Sequence, residues 1–209
     1  MKKMCVLFLL AMFFITCGPS AKFLAPDYSR PRKVAILPTV NHTNDVECGI
    51  VMRNLFFVKL HKKKYAELLS NTVVDSILNE EGITDGGQLN MITREELAEI
   101  LTVDGLLYID LLKCTCTPLV PGEVGTVKAN FKLYVPPSKL IWEDEREEVQ
   151  ELDNSSSGSG GNPLADLVGS LIAETAAKLM IQAASGWLFD HELHQEMDKL
   201  IKKSLKTLP

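Results

Sequence analysis

The chain reads as an α/β protein, within the wider α+β class, built on a single mixed β-sheet with helices packed against it. Three observations predict this. Lys33 to Pro38 is a short, almost continuously apolar segment ended by proline, as expected of a central strand buried on both faces. Residues 46–101 carry helical spacing broken by cap and turn signals. From Leu106 the period changes to two, and residues 126–134 alternate cleanly between apolar and polar. The predicted order is β-α-β-α-α-β-β-β, followed by C-terminal helices.

Taken in order, the first strand ends at Pro38, and residues 39–45 form a polar loop. Asn44 or Asp45 is suited to cap the next helix. Val46, Ile50, Leu55, Phe57 and Val58 mark its apolar face up to about His61. Lys62, Lys63 and Lys64 close it, where cations offset the helix dipole. Tyr65 to Leu69 reads as a second strand. Ser70, Asn71 or Thr72 caps a helix whose stripe is Val73, Val74, Ile77 and Leu78, and Gly82 ends it. Asp85-Gly86-Gly87 is a turn. Thr93 followed by Glu96 is a capping box opening a helix with Leu97, Ile100 and Leu101 inward.

Leu106 to about Thr117 is the next strand. A Pro/Gly-rich turn leads to residues 126–134, where Val127, Ala129, Phe131 and Leu133 share one face and Lys128, Asn130 and Lys132 the other. Pro136 and Pro137 mark a turn into a third strand of this meander from Lys139, whose acidic second half is expected to face solvent at an edge. The domain boundary falls at residue 153. Residues 154–163 are Ser/Gly-rich and read as a flexible linker. Residues 164–184 and 188–205 have helical spacing. Small residues on the first of these, Ala173, Ala176 and Ala177, offer a close-approach face for homo-oligomerisation.

The N-terminus carries the address. Lys2 and Lys3 precede an uncharged apolar run over residues 4–16, and Cys17-Gly18 follows. That is the order of a bacterial export signal ending in a cysteine. About 13 apolar residues fall short of the roughly 20 needed to span a bilayer. Phe14 and Thr16 depart from the preferred lipobox residues. Cleavage after Ala21 and retention as an anchor are the alternatives to lipid attachment at Cys17. With Cys17 lipidated, residues 17–32, rich in proline, read as a tether. Gly18 in place of aspartate directs the protein to the periplasmic face of the outer membrane.

The whole chain has 22 basic and 27 acidic residues and a formal charge of −5. Processing removes Lys2 and Lys3 and makes the body more acidic still, so nothing attracts nucleic acid. Cys48, Cys114 and Cys116 remain as thiols. Cys114 and Cys116 point to one face of a strand and do not bridge each other easily. They read as small buried hydrophobes, with a bridge from Cys48 to one of them as the alternative.

Signals for chemistry are sparse. His191 and His194 lie three apart around Glu192, one residue short of the zinc-protease spacing, and no third ligand is evident. No nucleophile elbow or phosphate loop is present, and no cofactor is expected. Asn41, His42, Thr43, Asn44 and Asp45 follow the first strand, where α/β proteins often bind ligands. They form a candidate ligand or partner loop, though capping alone explains them.

Several blocks together carry a resemblance: Pro31 with Val34-Ala35-Ile36-Leu37-Pro38; Asn41 with Thr43-Asn44-Asp45; Val74-Asp75 with Leu78 and Glu81-Gly82; Asp104-Gly105-Leu106-Leu107-Tyr108-Ile109; and Leu140-Ile141-Trp142. Over about residues 31–150 the chain resembles a family of bacterial envelope lipoproteins first catalogued as genome-derived neisserial antigens. The resemblance implies a fold similar to the N-terminal domain of TolB and to the curli-secretion lipoprotein. It also implies a lipoprotein of that curli-secretion type as a partner. The expectation is a lipid-anchored, non-enzymatic protein acting in an outer-membrane assembly or export apparatus. A periplasmic ligand-binding module, and less so a metal-dependent hydrolase, are the alternatives.

Overall fold

A computed structural model describes residues 21–119, 122–152 and 192–209. Its elements are β1 (Phe23–Leu24), β2 (Lys33–Ile36), β3 (Val40–Asn41), α1 (Val46–Lys62), β4 (Glu67–Leu69), α2 (Asn71–Glu80), a 3₁₀ turn (Gly86–Met91), α3 (Arg94–Leu101), β5 (Gly105–Leu119), β6 (Gly122–Val135), β7 (Lys139–Leu152) and α4 (His194–Leu205). The strands form one mixed sheet in the order β1-β7-β6-β5-β2-β4, with β3 also paired to β5. β2 lies parallel to β4 and β5, and β5, β6 and β7 form an antiparallel meander.

Apolar alternation explains the layering. Val34 and Ile36 of β2 enter a core shared with α1, α4 and the meander, including Met52, Phe56, Phe131, Trp142 and Leu200. Ala35 and Leu37 enter a second core with Val74, Leu78, Leu97 and Leu101 from α2 and α3. The central strand is thus covered on both faces, as its composition predicts. Asp45 caps α1, accepting from the Cys48 N–H at 3.0 Å, and Ser70 caps α2. The Thr93–Glu96 capping box is formed in both directions. Gly82 follows α2 at φ +79°, which glycine adopts without strain.

Several expectations are corrected. Of the three cysteines read as small buried hydrophobes, two are joined, as in the alternative reading: Cys48 and Cys114 form a disulfide with Cα atoms 6.6 Å apart, tying the start of α1 to β5. Cys116 stays a thiol. Helix α1 does not bury Val46 and Ile50, which are 73% and 47% exposed. Its buried arc runs instead through Val51, Met52, Leu55 and Phe56, because α1 is apolar around most of its circumference and the contact with the sheet selects the face. Within the proline-rich segment read as a tether, Phe23 and Leu24 pair with Glu143 and Trp142, and Ala25 is buried. β1 thereby covers the open edge of β7, and Lys22 pairs with Glu143 and Glu145.

The acidic half of β7 does not simply face solvent. Asp144 is buried and accepts from Arg146 and Thr207, and Glu148 meets Lys203 of α4. The polar face of β6 is likewise more covered than its alternation implies, since Asn130 is 7% exposed and donates to Glu143 at 2.8 Å. The first part of the loop after β2 forms β3, paired with Asp110 and Leu111.

The C-terminal helix packs as its spacing predicts, with Met197, Leu200, Ile201 and Leu205 buried. Lys63 at the end of α1 donates to the carbonyls of Leu205 at 2.6 Å and Leu208 at 3.2 Å, meeting carbonyls that the end of α4 leaves open. Among the described residues no helix is long and apolar enough to cross a membrane. Cys17, the linker at 154–163, the helix at 164–184 with Ala173, Ala176 and Ala177, and His191 lie outside the described residues.

Candidate functional site

The loop after β2 is organised by its own side chains. The Asn41 Oδ1 accepts from the Thr43 N–H at 3.0 Å and hydroxyl at 2.8 Å, while its Nδ2 donates to the Asp45 carbonyl at 2.7 Å. Asp45 is engaged as the α1 cap, and Thr39 donates to the Gly49 carbonyl at 2.9 Å. These polar groups satisfy one another, so capping accounts for much of the motif.

The backbone of β3 sends the five loop residues in different directions. Asn41 and Thr43 line a groove of about 1050 Å³ between α1 and α2. Val46 and Ile50, one turn apart on α1, form its apolar lip. Its floor holds Arg53, which donates to the Ile36 carbonyl and to Asp75, and the Asn71 amide, which donates to Asn54 at 2.9 Å. Asn44 lines neither this groove nor the cleft that His42 enters.

His42 opens instead into a separate cleft of about 690 Å³, which shares only Gly86 with the groove. There Tyr108 and Tyr134 meet edge to face with centroids 5.4 Å apart, and the Arg94 guanidinium sits 4.1 Å over the Tyr134 ring. Lys132 and Asp110 pair at 2.8 Å beside them. Burial pushes the Tyr108 phenol up to about 12, against the pull of Arg94. Burial also opposes the Lys132 charge, but Asp110 outweighs it and holds the ammonium above its ordinary range.

Sequence reasoning missed this second cleft. Its signal lay in register: Tyr108 pairs with Lys132, and Leu106 with Tyr134, so alternate residues of β5 and β6 share the face opposite Ile109 and Phe131. His194 stands at the start of α4, and His191 is outside the described residues.

No curated protein matches the chain. Among solved structures, lipoprotein GNA1162 from Neisseria meningitidis is similar at 21% identity and a TM-score of 0.56, covering 68% of this chain and 96% of that one. At that identity the likeness is one of fold. A point variant of the PelC dodecamer from Paraburkholderia phytofirmans is 16% identical, with 92% of this chain and 95% of that one covered and a TM-score of 0.49. CT253 from Chlamydia trachomatis is 14% identical, with 84% and 94% covered and a TM-score of 0.48. The model of the GNA1162-like lipoprotein family matches residues 23–186, which span both clefts, the whole sheet, the predicted linker and the helix predicted at 164–184. The chain belongs to the GNA1162-like lipoprotein family.

Proposed function

We propose that the protein is anchored through lipid on Cys17 to the periplasmic face of the outer membrane and does no chemistry of its own. It works through protein contacts in an envelope assembly or export apparatus. Membership of a lipoprotein family carries this reading. The export-type N-terminus ending in Cys17 supports it, as does β1, which joins the chain just beyond that cysteine to the edge of the sheet.

The contact surface the geometry supports best is the α1–α2 groove. Val46 and Ile50 hold apolar surface in water beside amide-bearing Asn41 and Asn79, the mixed character of a protein-binding rim. The occupant is another envelope protein, and a curli-secretion-type lipoprotein is the first candidate. Self-association is assigned separately to the small-residue face at Ala173, Ala176 and Ala177.

Photo-crosslinking in intact cells tests the contact. A probe at Val46 or Ile50 is expected to capture a defined envelope protein, and one at exposed Glu67 is not. Equal, diffuse capture from both positions overturns the assignment. Fatty-acid labelling lost in Cys17→Ser checks the anchor; label retained in that variant, or absent from the parent, refutes it. A charge at Ala176 or Ala177 is expected to reduce oligomer size without unfolding the protein.

A second reading rests on the cleft of His42, Arg94, Tyr108 and Tyr134, where a cation and two aromatic rings converge as in a small-ligand site. A bound small molecule released from the native protein, and lost in Tyr134→Ala, would favour it.

A further inference from the structure

The chain has a formal charge of −5, yet one end of the fold is basic. From Asp27, paired with Lys139 at the start of β7, the chain runs to the start of β2 at Lys33. On the way Arg30 donates to the carbonyls of Lys64, at 2.9 Å, and Tyr65, with its guanidinium 4.3 Å over the Tyr65 ring. Lys63 reaches the Leu205 and Leu208 carbonyls, which sets Lys206 alongside. Arg30, Arg32, Lys62, Lys63, Lys64 and Lys206 are all exposed. The side-chain acids of these segments are Asp27, Glu67 and Asp104, and Asp27 and Asp104 are paired with Lys139 and Arg32.

The remaining five cations form no ion pair among the described residues. They also press on one another: burial first, then the Arg30 charge, lowers the Lys63 ammonium. Tyr28, in the same segment, is 38% exposed, and Phe23 and Leu24 on the adjoining edge strand are 41% and 46% exposed. Cations flanked by an aromatic ring with a polar tip are the composition of a membrane–water interface.

Tether length points the same way. Five residues separate Lys22 from Cys17, a reach of at most about 18 Å. Lys22 pairs with Glu143 and Glu145, which lie up β7 from Lys139 by roughly 13 and 20 Å. Lipid on Cys17 can therefore come level with the basic end, and cannot hold the body far from it.

We infer that this basic end, with Tyr28 among its cations, docks on an anionic lipid surface. The inference rests on the lipid anchor proposed above, which keeps that surface within reach. Each lysine or arginine near it then adds a small attraction. Helix α1 sets the orientation: Lys62 is at its last turn and Val46 at its first, about 25 Å apart. The groove at Val46 and Ile50 is thereby held away from the bilayer, open to other envelope proteins.

The test reconstitutes the full lipidated chain into vesicles of acyl-brominated phosphatidylcholine, with or without phosphatidylglycerol. With phosphatidylglycerol at low salt, Tyr28→Trp is expected to be quenched beyond the parent, and Val73→Trp on α2 is not. Salt should reduce the quenching. Arg32→Gln, Lys62→Gln and Lys64→Gln are each expected to weaken docking about fivefold and to leave the melting temperature unchanged. Arg30 and Lys63 are left in place because they hold backbone carbonyls. Quenching that is equal in phosphatidylcholine alone, or that survives the three substitutions together, overturns the inference. So does a photo-probe at Tyr28 that captures an acidic protein in cells rather than lipid. Flotation at high salt reads the anchor separately. A chain that floats without quenching overturns the docking and spares the anchor. A chain that fails to float refutes the anchor, and quenching by excess vesicles at low salt still decides the docking. If Tyr28→Trp fails to fold, Phe23→Trp takes its place.

Discussion

Arg53 donates from Nε and Nη2 to the backbone carbonyl of Ile36, at 3.1 and 2.8 Å, so a side chain of α1 completes the end of the central strand. Its third nitrogen, Nη1, donates to Asp75 of α2 at 2.6 Å. One buried guanidinium thus fixes α1, β2 and α2 together beneath the groove. Arg53→Met is expected to cost about 3 kcal/mol in urea unfolding, since it leaves the carbonyl without its donors. Arg53→Lys should recover less than half, because an ammonium cannot reproduce the fork. Asp75→Ala should cost under about 1 kcal/mol, as that carboxylate is partly exposed.

The Cys48–Cys114 bond closes a loop with a sequence separation of 66. Chain-entropy reasoning gives about 4 kcal/mol of stabilisation for a loop of that size. Cys48→Ser, or a thiol reductant on the parent, should lower the thermal midpoint by several degrees or more. The reductant should have no further effect on Cys48→Ser. Equal melting of parent and variant would contradict the bond.

Lys59 and Asp198 form a nearly buried ion pair between α1 and α4, with Lys202 also on Asp198. Burial lowers the Lys59 ammonium, partly opposed by Asp198. Burial also works to raise the Asp198 carboxyl, but Lys202 and Lys59 outweigh it and hold it below its ordinary value. Asp198→Leu alone should cost about 3 kcal/mol or more by stranding the lysine. Adding Lys59→Met should recover most of that loss. A double-mutant cycle by denaturant titration checks the coupling.

Acid stability should report on Asp104. Its carboxylate accepts the N–H groups of Lys33 at 2.6 Å and Arg32 at 3.0 Å, fastening the start of β2 to the start of β5. Burial works to raise this carboxyl, yet the two backbone donors outweigh it and hold it below the usual aspartate value. A depressed folded value means stabilisation that is complete above the unfolded value and lost as pH falls through the folded one. Asp104→Ala should therefore cost about 1 kcal/mol at pH 7, discounted for the partial exposure of the group. The gap between parent and variant should narrow as pH falls below about 4. A gap independent of pH would refute the assignment.

Element order, the Asp45, Ser70 and Thr93 caps and the buried face of α4 were legible because each depends on residues within a few positions of one another. Two-sided burial of β2 was legible for the same reason. The buried arc of α1 was not, because apolar residues surround that helix and only the sheet beneath it distinguishes Met52 from Ile50. The Cys48–Cys114 pairing was legible only as an alternative without a chosen partner, since it needs the start of α1 to land on the middle of β5. The candidate loop at Asn41–Asp45 was legible as a polar capping segment, but not that Asn41 and Thr43 line one cleft and His42 another.

By itself, the sequence determined the class of fold, the signal-like N-terminus at Cys17 and the family resemblance, all of which rest on local pattern. Strand register and helix placement decided the rest. They brought Tyr108 and Tyr134 under Arg94, set β1 on the edge of β7, and carried Glu192 to the β5–β6 hairpin beside Cys116 and Glu123. The physical reason is that periodicity says which face of an element avoids water, while only packing says which other surface it meets.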